Sequence, residues 1–132
     1  MDQHLTHIAL IVDDYDKAIQ FYTQKMNFIL LEDTRLSEEK RWVVVSPRGS
    51  ACSLLLAKAS TEEQKSRIGN QTGGRVFLFL YTDNLKRDYE NLKINDIEIV
   101  REPAKEVWGT VIVFKDLYGN LWDLIEPSTK KP

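Results

Sequence analysis

The chain has 132 residues, the length of one domain, and its 42% apolar and 29% charged side chains fit a soluble globular protein, not a disordered tail, a collagen-like rod or a coiled coil. A formal net charge of −2 offers no basic field for nucleic-acid phosphates and no polybasic lever for an anionic membrane, so neither is an expected partner. The start MDQHLTHIALIVDDY lacks a basic signal-peptide opening, no run approaches the ~20 apolar residues of a membrane span, and the lone Cys52 cannot form an internal disulfide; the expected compartment is the cytoplasm.

Residues 5–12 are rich in β-branched side chains and end at Asp13-Asp14, which predicts a strand running into a helix cap. Tyr15, Ala18, Ile19, Tyr22 and Met26 recur at helical spacing, so 14–25 reads as an amphipathic helix. Strands follow at 28–32, 41–46 and 51–57, the last two joined by Pro47-Arg48-Gly49-Ser50, and the order is βαβββ. Residues 59–75 change character, with Ile68 the only large apolar residue. Ser60-Thr61-Glu62-Glu63 has a capping-box pattern there and Gly69 could close a short helix. No Lys-Ser/Thr pair follows Gly69–Gly74, so a phosphate loop is not expected.

The pattern then repeats: a strand at 76–82, a helix marked by Leu85, Tyr89 and Leu92, strands at 97–101 and 109–115, a turn at 116–120 and a strand at 121–126. At an offset of 70, Asp13 meets Asp83, Ile19 meets Tyr89, Ile29 meets Ile99 and Glu32 meets Glu102. An internal repeat outranks local signals when a fold is chosen. The expectation is one domain over 1–132, with module 1 at about 1–58, a connector at about 59–75 and module 2 at about 76–127.

The opening THIALIVDDYDKAIQFY and the closing WGTVIVFKDLYGNLWDLIEP, with its F-x-D-x-x-G-N turn, resemble the vicinal-oxygen-chelate superfamily of glyoxalase I, extradiol dioxygenases, fosfomycin-resistance enzymes and bleomycin-resistance proteins. The resemblance covers nearly the whole chain. It implies an α+β fold in which two βαβββ modules form a half-open eight-stranded cup, with helices outside and a small molecule held inside. It also implies a homodimer, since half-open sheets leave edges and apolar surface to cover.

Alternation places His7, Ala9 and Ile11 on one face of the first strand, and Phe77, Phe79 and Tyr81 are their partners at the same offset. Asp123 shares a face with Leu121 and Ile125, and its counterpart in the first module is Ser53, or Leu54 if the turn lengths differ. The resemblance implies that metal-using members draw ligands from these four positions, here His7, Ser53 (or Leu54), Phe77 and Asp123. Two of the four are plausible ligands, and the two-histidine, one-carboxylate set of the extradiol dioxygenases cannot assemble from them. His4 and Glu126 have the wrong parity to substitute.

His7 and Asp123 are therefore the candidate catalytic pair, although a hydrogen bond between them would satisfy both without chemistry. Phe77, Phe79 and Tyr81 either stack on a flat ligand or pack as plain core. Trp42 and Trp108, at the starts of the third strands, either clamp a substrate or bury against a partner subunit, and Cys52 falls by parity on the helix side of its strand. Ser53 completes the substrate-binding candidates. The favoured reading is a glyoxalase- or bleomycin-resistance-like protein that binds a small apolar or aromatic molecule, with no cofactor and no tightly bound metal. The alternative is a metal-dependent glyoxalase-type lyase or isomerase acting on an α-hydroxycarbonyl compound, with a divalent metal as its cofactor.

Overall fold

The β-branched opening run forms strand β1 (His7–Val12) in a computed structural model that describes residues 1–128. Asp14 caps helix α1 (Tyr15–Gln20), its side chain accepting from the Lys17 N–H at 2.8 Å, as the acidic pair after the strand predicts. The expected single helix over 14–25 then changes pitch. Phe21–Lys25 is a π-helical turn, closed by the Met26 N–H donating to the Phe21 carbonyl at 3.3 Å. The wider turn keeps both Phe21 and Tyr22 buried, and Tyr22 stacks on Phe28 with ring centroids 5.7 Å apart. Asn27, in the left-handed region at φ 59, ends it.

Strands β2 (Ile29–Arg35), β3 (Arg41–Ser46) and β4 (Ser53–Lys58) complete the first module in the order β1-β4-β3-β2, with β1 parallel to β4 and the other pairs antiparallel. Strand β2 runs past its expected end at Glu32 because its polar tail is held from the neighbouring strand. Arg41 donates to both Asp33 carboxylate oxygens at 3.0 and 2.7 Å, and to Asp16 at 3.0 Å. That fork holds the Asp33 carboxyl below the ordinary carboxylate range. Strand β4 starts later than expected, so Cys52 sits half-buried in the preceding turn and not on the strand's helix side.

The connector folds a short helix α2 (Glu62–Ser66) on a capping box one residue later than read from the sequence. Thr61 accepts from the Gln64 N–H at 3.1 Å while the Gln64 side chain accepts from the Ser60 N–H at 2.8 Å. The second module is β5 (Val76–Tyr81), α3 (Leu85–Ile94), β6 (Ile99–Glu106), β7 (Gly109–Lys115) and β8 (Leu121–Pro127), in the order β5-β8-β7-β6, with β5 parallel to β8. The fold is α+β, two βαβββ modules, and the eight strands hydrogen-bond as two open four-stranded sheets. The chain divides into compact units Met1–Ile68 and Gly69–Pro132, a boundary inside the connector. Among the described residues no helix is long and apolar enough to cross a membrane.

Each sheet buries one face under its helix. In module 1 that face carries Leu10, Val12, Val43, Val45, Leu54 and Leu56; in module 2 it carries Ile112, Phe114, Trp122 and Leu124. Each such side chain contributes about 1.5–3 kcal/mol when fully buried.

The β7–β8 turn is built on one carboxylate. Asp116 is 6% exposed; one of its oxygens accepts from the backbone N–H groups of Tyr118, Gly119 and Asn120, the other from the Asn120 amide and the Trp122 indole N–H, all at 3.0–3.1 Å. Gly119 at φ 101 permits the turn, and a Cβ on Gly69, itself at φ 75, would collide with the Tyr118 carbonyl. Asp116→Ala strips an acceptor from all five donors. It should cost about 2–4 kcal/mol in urea denaturation, with Asp116→Asn milder, and a loss under about 1 kcal/mol would show that the turn is held by other contacts.

Candidate functional site

Pairing register decides which side chains share the faces away from the helices. In module 2 the residues opposite one another across the sheet are Phe79, Asp123, Val113 and Arg101, one from each strand. Neighbouring strands lie about 4.8 Å apart, so this row is about 14 Å long. The next row runs Tyr81, Ile125, Val111, Ala104. Phe79 is 64% and Tyr81 70% exposed, while Asp123, opposite Phe79, is half-buried. An aromatic pair this exposed on a sheet face is the kind of apolar surface that marks a binding site.

The expected three-residue aromatic stripe is interrupted. Val76 pairs with Leu121 and Leu78 with Trp122, so Phe77 stands in a β-bulge outside the register and is half-buried. The equivalence between the modules shifts as well. Asp123 pairs with Phe79, the residue corresponding to Ala9, and Ala9 pairs with Leu55; the counterpart of Asp123 is thus Leu55, and neither Ser53 nor Leu54. One residue of the two-residue slip comes from the second hairpin, where β7 and β8 are joined by 116–120 and β3 and β4 by 47–52; the other arises before β2, since Arg101 pairs with Val113 as Glu32, 69 positions earlier, pairs with Val44.

In module 1 the same face carries His7 beside Ser53, and Trp42 beyond them. His7 is exposed and its ring meets Trp42 edge-on, with centroids 5.9 Å apart. Ser53 is buried. Trp108 lies in the two-residue β6–β7 turn, ahead of the strand, and its carbonyl accepts from the Ser128 N–H at 3.0 Å. Glu126, on the opposite face from Asp123, accepts from the Leu85 N–H at 2.9 Å and so caps α3. His7 and Asp123 belong to different modules.

Arg101 is the member of the face that sequence reasoning missed. Two register shifts and Pro103 interrupt β6, so counting by twos along it fails. Its guanidinium is ion-paired to Glu106 at 2.8 Å. Burial pushes the Asp123 carboxyl above its ordinary value, and the charge on Arg101 offsets part of that push. The positions that the resemblance assigns to metal ligands supply one imidazole, one buried hydroxyl, one phenyl ring in a bulge and one carboxylate. Within neither module do three described His, Cys, Asp or Glu side chains cluster. That donor set does not fit a tightly held divalent ion, which takes three or more N, S or O ligands.

A raised carboxyl means that the folded chain holds the Asp123 proton more tightly than the unfolded chain does. The ionised group therefore weakens folding as pH rises through its folded pKa. Asp123→Asn should leave the melting temperature at about pH 7 equal or higher, an advantage that shrinks toward about pH 4. Arg101→Ala should move the Asp123 carboxyl further up in an NMR titration. An Asn variant that melts lower at neutral pH would show that the carboxylate is stabilised by its surroundings.

With this geometry in place, the comparisons with known proteins converge. A protein of Shewanella frigidimarina (strain NCIMB 400) is 58% identical over the whole chain and 99% of its own length. YetH of Bacillus subtilis (strain 168) is 28% identical over 96% of this chain and all of its own. Among solved structures, UcmS2 matches with a TM-score of 0.82 at 30% identity, covering 96% of this chain and 99% of that one. TnmS3, an antibiotic binding protein from Streptomyces sp. CB03234, matches at 0.77 and 28% identity, covering 96% and 98%. The family model of the Glyoxalase/Bleomycin resistance protein/Dioxygenase superfamily matches residues 4–124, and the chain belongs to that superfamily, the vicinal-oxygen-chelate group that its opening and closing motifs resemble.

Proposed function

We propose that this chain binds a planar, largely apolar small molecule on the helix-free face of module 2, and does so without a tightly bound metal. The observation that carries this reading is the exposure of Phe79, directly opposite Asp123, and of Tyr81 in the next row of the same face. Ring faces supply large apolar area and favour offset stacking on a flat partner. Antibiotic binding by TnmS3, a structural neighbour matched over nearly its whole chain, supports it. The donor set supports the metal-free part, since His7 and Asp123 alone would have to recruit most of a coordination shell elsewhere. Both side chains are suited to proton transfer, and any turnover is assigned to them.

The same reading includes a homodimer in the cytoplasm. Leu30 and Leu31 on edge strand β2 and Val100 on edge strand β6 are exposed, and a second copy is the covering that an unpaired edge of this kind admits.

Binding of anthracene- or naphthalene-type probes, followed by tryptophan fluorescence, should weaken about tenfold in Phe79→Ala with no change in melting temperature. An unchanged affinity would remove this face from the site. EDTA should leave probe binding intact; elemental analysis finding about one divalent ion per chain, lost in His7→Ala, would instead restore the metal-dependent lyase or isomerase reading. Sedimentation at micromolar concentration should give twice the chain mass of 15.3 kDa, and a stable monomer would sink the dimer.

A further inference from the structure

We propose that the molecule bound on the module 2 face carries a protonated amine beside its aromatic plane, and that the Asp123 carboxylate is the group that reads it. This rests on the proposed binding face and adds the chemical class of its ligand. An ionised carboxylate only accepts hydrogen bonds, with room for about four. No described residue donates to the one on Asp123, whose neighbours across the sheet are Phe79 and Val113. Asp116, five residues before β8 begins, shows the contrast, with its carboxylate filled by the turn it anchors.

Every other charge around Asp123 is committed. From β6, Arg101 is paired with Glu106 at 2.8 Å. From β7, Lys115, one row away, is paired with Glu98 at 3.3 Å. Strand β5 brings only apolar and aromatic side chains, and on β8 itself Glu126 faces the other way to cap α3. Arg101 therefore acts on Asp123 through its charge alone, and no described cation hydrogen-bonds to the carboxylate. Burial pushes the Asp123 carboxyl up, and the Arg101 charge offsets only part of that push. A ligand ammonium would supply a hydrogen-bonded cation, through charge-assisted hydrogen bonds to Asp123 and attraction to the negative faces of Phe79 and Tyr81. A ligand carboxylate would meet repulsion. A hydroxyl would gain a weaker neutral bond.

The test uses three probes that share one ring system, namely naphthylethylamine, naphthylethanol and naphthylacetate, titrated into the full chain at neutral pH. The amine should bind about tenfold to a hundredfold more tightly than the alcohol, and the acetate most weakly. Asp123→Asn, near-isosteric and checked for folding by circular dichroism, should bring the amine down to the alcohol. The variant also separates this contact from general attraction to a chain of net charge −2. Equal binding of amine and alcohol, or an amine preference that survives Asp123→Asn, overturns the inference while sensitivity to Phe79→Ala keeps the binding face. If no probe binds, or none responds to Phe79→Ala, the face and the inference fall together.

Discussion

In each module the first strand lies parallel to the last, and this pairing sets which side chains can act together. A strand returning by hairpin would pair its sequence neighbour. Here β1 instead pairs β4, and β5 pairs β8, so residues about forty-five positions apart become neighbours, His7 with Ser53 and Phe79 with Asp123. A parallel partner demands a crossover, and α1 and α3 provide it, which forces one face of each sheet under a helix. The other face is then where an exposed aromatic residue, or a carboxylate with no donor, can sit without leaving a hole in the core. The register of one parallel pair thus separates scaffold from site, and a one-residue slip would exchange them.

Most of the architecture was legible because it depends on short-range periodicity. The helix cap at Asp14, the strands Arg41–Ser46 and Gly109–Lys115, and the repeat itself follow from alternation, capping chemistry and turn residues. What stayed hidden depends on longer-range geometry. The bulge at Phe77 has no signature in VFLFLY, whose side chains alternate no differently from those of a regular strand. The extension of β2 through Asp33 and Thr34 relies on an arginine six residues beyond the strand's end, and Arg101 joined the face only through pairing across a strand broken by Pro103. The slip from Ser53 to Leu55 as the counterpart of Asp123 accumulates one residue before β2 and one in the β3–β4 connection. A fixed offset cannot represent it.

Two aspartates on one hairpin illustrate how a chain divides its carboxylates between structure and recognition. Asp116 is buried, and its desolvation is offset by five donors, so removing it should unravel the turn. Asp123 is half-buried with no donor from the described residues, and burial raises its carboxyl. The first arrangement stabilises folding. The second costs stability in the free chain, a cost that a bound donor would remove.

Laying the modules on one another by register, not by fixed offset, sharpens that division. On the helix side, Leu10, Leu56 and Val43 correspond to Leu80, Leu124 and Ile112, and Leu54 and Val45 correspond to Trp122 and Phe114. In these five pairs apolar replaces apolar, because a close-packed interior tolerates changes of shape far better than changes of polarity. On the other face Ala9 becomes Phe79, Ile11 becomes Tyr81, Leu55 becomes Asp123 and Glu32 becomes Arg101. Folding requires none of these changes, since module 1 forms the same strands in the same order without them. The aromatic rings and the carboxylate of module 2 are surplus to the architecture, and the ligand proposed for that face is what would make use of them.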